Sequence, residues 1–475
     1  MDLGLIAFAL LVATGIRVRV RFFQRYLIPN ALTAGFLLLP LYNYVLPLFG
    51  QNTNDLGQIV YHLLSLSFIA MTLRTPQTDR KASSGKVFPF AIATLSQFGL
   101  QGLVGLLFTF ALIQTTMPDL FPSFGLLLPL GFAQGPGQAF AIGSGWEQFG
   151  FEGAASIGLT FAALGFIVSS FGGIFLINIG MRRGWLSAKQ VAALKTSAVK
   201  SGIFPSRSRR EVGAQLTTDS EAIDSFTLHL AMVLFVYMLA YFLLLGLTRA
   251  LALAGPSGEL LANSLWAVSF IFAALTAMVI KALMRRAGWD FVVDNKTLNR
   301  ISGFAVDFMV AAAIGAIAIV VVWRFIVPIL TLSLLGTILT MVLVPWMSSR
   351  MFTDHAFHRA MLVFGVSTGT LPTGLALLRV VDPEFETPVA GEYMYATGIV
   401  FVLAIPFIVA LELPVRAAIT GDMRYFWAMV IVAAAYVVFV SIAFLAIARR
   451  RALAGGIQLW LRPERRDRSK RSATK

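Results

Sequence analysis

Eleven apolar stretches, most of them long enough to cross a bilayer as a helix, constrain this chain more than any other feature. They lie near 3–16, 27–49, 56–73, 87–113, 153–180, 226–254, 262–282, 301–323, 326–346, 392–413 and 423–448. A helix rises about 1.5 Å per residue, so roughly 20 apolar residues span a hydrocarbon core. In hydrocarbon each backbone N–H and C=O must pair within the segment, which selects helices. The expected fold is an all-α polytopic membrane protein with about 11 transmembrane helices. Charged residues make up only 13% of the chain, where soluble domains carry roughly 25%. A soluble enzyme with so little charge could not cover its core. The chain has no cysteine, which excludes disulfides, thiolate nucleophiles and Cys-ligated metals.

The net charge is +15. In a membrane protein such an excess reads first as topology. Of the 38 lysines and arginines, all but Arg249, Arg324, Arg416 and Arg424 fall on one side. This split requires that the Gly- and Pro-interrupted stretches 125–146 and 360–380 do not cross. Each is therefore expected to be a re-entrant hairpin, the first entering from outside and the second from inside. The arginines Arg17, Arg19, Arg21 and Arg25 follow the first span instead of preceding it. That order favours a retained helix over a cleaved signal peptide. The expected localisation is the inner (cytoplasmic) membrane, with the N-terminus outside, the C-terminus cytoplasmic and no nucleic-acid partner.

The two hairpins occupy matching places. Gly135 and Gly369 are separated by the same interval as Phe151-Glu152 and Phe385-Glu386. The expected organisation is a first five-helix repeat at 1–180, a cytoplasmic linker at 181–225 and a second, inverted repeat at 226–413. An extra transmembrane helix at 414–448 and a basic cytoplasmic tail at 449–475 follow. Inverted repeats with broken segments in corresponding positions point to a secondary transporter. Unwound backbone at membrane depth survives only where protein, water, ion or substrate satisfies it.

In the first broken segment Gln134, Gly135, Gly137 and Gln138 surround Pro136. Two glutamines one turn apart in an apolar run are candidate ligands; close helix packing through glycine is the alternative. In the second, Ser367, Thr368, Gly369, Thr370, Pro372 and Thr373 place four hydroxyls around a Gly/Pro break. Such oxygens suit Na⁺ or a substrate carboxylate, unless they bond back to their own helix carbonyls. Asp307 is an acid inside an apolar span, a functional candidate by default; a salt bridge to Arg300 is the alternative. Arg379 could pair with a carboxylate substrate or snorkel. Glu152 and Glu386 read as loop charges, and Asn178, Arg182 and Arg183 as anchors. Asp354, His355 and His358 lack the further ligands that a metal needs. No phosphate-binding loop, dinucleotide fingerprint or nucleophile elbow is present. The tail, with Leu459, Trp460 and Leu461 before its basic run, could lie on an anionic leaflet.

Three stretches resemble the bacterial sodium/glutamate symporter family. Arg25-Tyr26-Leu27-Ile28-Pro29 followed by Ala34-Gly35 is similar to that family's Tyr-x-Ile-Pro segment. Gly135-Pro136-Gly137, with Phe149-Gly150-Phe151 and Gly172-Gly173, is similar to its first re-entrant region. Gly365 to Gly369 with Pro372-Thr373 is similar to its second, although Gly374 stands where the family has Ala. The resemblance implies a homodimer in which a transport domain holding both hairpins slides against a scaffold. It also implies Na⁺ as coupling ion, no other cofactor, and glutamate or another amino or dicarboxylic acid as the small anionic substrate. The expected activity is transport without catalysis. A proton-coupled transporter or exchanger, and a membrane-embedded protein without transport activity, remain open alternatives.

Overall fold

The structure is a computed structural model. It describes residues 1–50, 52–74, 84–186, 203, 212–253, 262, 265–382, 387–456 and 458–461. Every regular element among these residues is helical. In chain order the principal helices are α1 (Asp2–Arg19), α2 (Asn30–Pro40), α3 (Thr53–Leu73), α4 (Ser84–Thr115), α5 (Pro136–Glu147), α6 (Ala154–Arg182) and α7 (Ser225–Ala252). They continue as α8 (Ser269–Arg286), α9 (Asn295–Gly315), α10 (Ile326–Met351), α11 (Ala356–Ser367), α12 (Leu371–Val381), α13 (Val389–Ala410) and α14 (Arg424–Ala448).

Nine helices among the described residues are long and apolar enough to cross a membrane. The predicted spans at 3–16 and 262–282 fall outside that set. Their helices, α1 and α8, are 18 residues each and carry Arg17 and Arg19, and Lys281, Arg285 and Arg286, near their C-terminal ends. The span expected at 301–323 is shifted. α9 starts at Asn295, because Asp294 caps it by accepting from the N–H groups of Lys296 and Thr297, and it ends at Gly315 before a separate short helix, Ile319–Arg324. Most of the linker 181–225, the basic run of the tail and Glu386 lie outside the described residues.

Large apolar side chains face outward, as on Phe235, Phe242 and Leu243 of α7 and Ile431 and Ile442 of α14. Water would oppose such a surface; hydrocarbon does not. The pattern is that of a helical multi-pass membrane protein.

The helices sort into two bundles. α1, α2, α3, α7, α8 and α9 pack together, and α4, α6, α10, α13 and α14 pack with the two broken segments. The bundles meet chiefly where α5 lies against α3 and α9. The first bundle has a small core of its own around Ile69, Val233, Ala273 and Ile301.

Side-chain bonds mark two opposite ends of the molecule. At one, Arg74 donates to Asn299 and Lys281 donates to the Thr72 carbonyl that ends α3. At the same end Lys86 pairs with Asp354. Arg350 donates to the carbonyls of Ala454, Gly456 and Gln458. At the other end Tyr42 bonds Asp2, Trp146 bonds Glu412, and Ser156 accepts from the Ala318 N–H. The basic helix ends therefore gather on one face, and the start of α1 lies on the other. Arg350 and Arg359, which belong to the basic-side charges of the topology count, are buried. The start of the tail folds back as well. Trp460 stacks on Trp185 at 5.0 Å between ring centroids and meets Phe357 edge-on.

Candidate functional site

The two interrupted segments are both helix–break–helix units, with bounds close to those expected. The first runs through Phe124–Gln134, whose last turn is π-helical from Leu130 to Gln134, breaks at Gly135 and returns as α5. A π turn widens the helix and releases carbonyls, and such turns recur at functional positions. Gly135 has φ +91 and ψ 178, a region open in practice only to glycine. Pro136 follows as the first helical residue, where its missing N–H costs nothing. The second unit is α11, a break at Thr368–Thr370, and α12, with Pro372 in its first turn. Its arms approach closely through Gly374. A Cβ there would stand 2.6 Å from Val366 Cγ2 and 2.8 Å from the Leu362 carbonyl. The Gly at this position is therefore required by packing.

The two breaks touch. A Cβ on Gly135 would lie 3.0 Å from Thr370 Cγ2 and 3.7 Å from the Gly369 carbonyl. α6 passes behind both, and a Cβ on Gly165 would meet the Thr368 carbonyl at 2.5 Å and Phe132 Cδ1 at 3.1 Å. Gly137 faces the other bundle, where a Cβ would meet Leu64 at 2.5 Å and Met309 Sδ at 2.7 Å.

A cavity of about 700 Å³ leads to this junction. Its inner end is walled by Phe166, Val310, Thr370, Pro372 and Thr373, and its basic end by Arg17, Arg74, Arg379 and Asn299. Asp307 lines it too and is exposed to it. No ion pair joins Asp307 to Arg300 among the described residues. Three guanidinium groups against one carboxylate give the walls a positive balance. Arg17 also donates to the Ile28 carbonyl, tying α1 to the Leu27–Pro29 corner that forms part of the wall. Leu27 takes a left-handed φ of 52 at that corner. Beyond the junction, toward the opposite face, aromatic side chains pack together. Phe121 stacks on Phe151 at 4.7 Å, and Trp146 is fully buried beside Phe151.

The hydroxyls of the second break mostly serve the fold. Thr368 donates to the Phe364 carbonyl at 2.8 Å. The Thr373 hydroxyl bonds the carbonyls of Gly365 and Thr370 and accepts the Thr370 N–H, closing a capping box. Bonding back to local backbone is thus the state of these two residues. Ser367 is the exception: it is fully buried, and its Oγ has no partner among the described residues. On the first unit the Oε1 atoms of Gln134 and Gln138 are likewise buried without a hydrogen-bond partner. Other buried oxygens among the described residues also lack a partner, as at Ser65, Thr109 and Ser348; what sets these three apart is that they flank the two breaks. A cation or a polar ligand group fits such oxygens.

Of the predicted residues, the structure brings Gly135, Gly369 and Thr370 together, and places Thr370, Pro372, Thr373 and Asp307 on one cavity. Gly137, Gln138, Ser367 and Thr368 lie behind that surface. Glu152, Asn178, Arg182 and Arg183 are exposed and outside the cavity wall. Two groups were missed. Gln101 of α4 is fully buried and donates to Thr340 of α10 and to the Ser367 carbonyl, bracing the second break. Gln97 and Gln101 are one turn apart in an apolar run, the same signal that marked Gln134 and Gln138. The others are Arg17 and Arg74, which count in the sequence only toward the charge asymmetry, and Asn299, which carries no signal there.

At the base of the second unit, Arg359 pairs with Glu392 of α13 at 2.7 Å, both side chains fully buried. Arg359 also lies over the Phe352 ring. Asp354 joins this network at its exposed edge. Burial works against its charge, yet Arg359 and Lys86 outweigh burial and hold its carboxyl below the usual range. Comparison of the chain with family models, curated proteins and solved structures finds no match.

Proposed function

We propose that the chain is a secondary active transporter of a small organic anion, coupled to a cation. One observation carries this reading: two broken helices touch at their breaks, at the inner end of a cavity walled by three arginines and one carboxylate. The guanidinium groups attract an anion into the cavity. The buried oxygens of Gln134, Gln138 and Ser367 supply neutral ligands for a dehydrated cation such as Na⁺. Cation and anion then stabilise the same arrangement of the two breaks, so each raises the affinity of the other.

The basic face is assigned to the cytoplasm by the positive-inside rule, which makes this conformation inward-open. The bundle holding both broken segments would move against the other one, carrying the site across in an elevator-like motion. Each half of the proposed inverted repeat contributes corresponding helices to each bundle, which favours this reading. The resemblance to sodium/glutamate symporters supplies Na⁺, glutamate or a related amino or dicarboxylic acid, a homodimer and the inner membrane as the specific expectations. A proton-coupled carrier, with Asp307 as the proton site, is the competing reading, because Asp307 faces the cavity without an ion-pair partner among the described residues.

The test is uptake of labelled amino and dicarboxylic acids into proteoliposomes under Na⁺, H⁺ or no gradient. Uptake that needs the Na⁺ gradient supports the proposal. Uptake driven by H⁺ alone and abolished in Asp307→Asn moves the assignment to the competing reading. No uptake of any anion under either gradient overturns it.

A further inference from the structure

A second cavity, of about 980 Å³, opens beside the first at the basic end of the molecule. It lies at the upper end of the roughly 300–1,000 Å³ of small-ligand sites, larger than a lone phosphate needs. Four helices build it, and each gives one face. On α8 the lining positions are Ala274, Met278, Lys281, Ala282 and Arg285, which recur at helical spacing along one stripe. The stripe starts apolar and ends cationic, over a length of about 16 Å at the helical rise. The first turns of α9 add Lys296, Asn299 and Arg300. Phe68 and Met71 of α3 and Phe401 of α13 complete the apolar wall.

The charge is one-sided. Arg74, Lys281, Arg285, Lys296 and Arg300 line the cavity, and no acidic side chain among the described residues does. Arg74 and Lys281 are held in place by Asn299 and by the α3 carbonyls. Arg285, Lys296 and Arg300 take part in none of the ion pairs of the described residues. The acid nearest in sequence to Lys296 and Arg300, Asp294, is engaged with the N–H groups of Gln215, Lys296 and Thr297 and with the Thr297 hydroxyl. A greasy slot ending in a cluster of cations at the membrane boundary matches an amphipathic anion. We propose that this cavity binds an anionic phospholipid of the basic-side leaflet. Its phosphate sits among Arg285, Lys296 and Arg300, and an acyl chain lies along Met278, Phe68 and Phe401. Arg74 and Asn299 line both cavities, so the lipid borders the transport cavity without occupying it.

Native mass spectrometry of the full-length purified protein tests this, with phosphatidylglycerol, phosphatidylcholine and inorganic phosphate as probes. The expected result is one phosphatidylglycerol adduct that survives activation sufficient to strip phosphatidylcholine. Arg285→Gln with Arg300→Gln should reduce that adduct at least fivefold, and Arg182→Gln with Arg183→Gln, the same loss of charge elsewhere, should leave it. Arg285→Gln alone, with a smaller reduction, serves if the pair does not fold. Equal retention of both lipids, equal loss in both paired variants, or inorganic phosphate displacing the lipid would each overturn the proposal. The readout is independent of transport.

Discussion

The two broken segments share a plan and differ in how they treat their polar groups. In the second, Thr368 and Thr373 are turned inward onto local carbonyls, and Gln101 braces the break from α4. Its base is pinned by the buried Arg359–Glu392 pair. In the first, Gln134 and Gln138 leave their carbonyl oxygens unpaired, and the break depends on one glycine at φ +91. Its base is held by a neutral donor, Trp146, on Glu412. The second unit thus satisfies most of its hydroxyls within the fold, leaving Ser367 Oγ and the Oε1 of its brace Gln101 without a partner among the described residues, and the first leaves both of its glutamine oxygens unpaired there.

This contrast can be broken most severely at the anchor. Arg359→Ala strands Glu392 in the interior, and loss of one partner of a buried pair costs about 3–5 kcal/mol. Thermal or denaturant unfolding of the purified variant should show a loss of that size, and a loss under 1 kcal/mol would mean the pair is not what fixes the second unit. Next is Gly135→Ala, which forces a side chain into a glycine-only conformation at about 1–3 kcal/mol and pushes on Thr370. Uptake should fall at least tenfold, while the Gly4→Ala control on α1, where a Cβ meets nothing within 4 Å, stays near wild type.

Two alanine variants sharpen the comparison. Thr373→Ala removes a capping box and should cost about 1 kcal/mol of stability. Gln138→Ala removes an acceptor with no partner among the described residues, so no hydrogen bond is lost and any stability loss is that of packing alone, while Na⁺-linked ligand affinity falls at least tenfold. The reverse pattern would exchange the roles of the two units. The smallest effect concerns acid. The Asp354 carboxyl is held below its ordinary range, so its contribution is present above an unfolded value near ~4 and is lost as pH falls through the lower folded value. Comparing the melting temperature of the wild type and Asp354→Asn, the gap should close on acidification below that point; a gap that widens would contradict the assignment.

Helix positions and both breaks were legible because they rest on local chemistry: apolar runs, Pro136 and Pro372, and the glycines beside them. α9 shows where that stops. Its start is set by the Asp294 cap and its end by a break at 316–318, neither of which interrupts the apolar run enough to be read. The site was half legible. Thr370 and Asp307 reach one cavity as polar residues in apolar surroundings should. Which hydroxyls bond back to the helix, and which charges wall the cavity instead of lying in loops, depends on contacts between the bundles. Arg17, Arg74 and Arg379 are far apart in sequence, and only packing shows that they share one cavity.

If the touching breaks form one site for anion and cation together, the thermal stability of the purified protein in Na⁺ against K⁺, with and without a panel of amino and dicarboxylic acids, shows it most directly. A ligand at a hundred times its dissociation constant stabilises by about 2.7 kcal/mol. One acid should stabilise only when Na⁺ is present, with the effect lost in Gln138→Ala. Stabilisation by an acid that is equal in Na⁺ and K⁺, or no response to any acid, would contradict it.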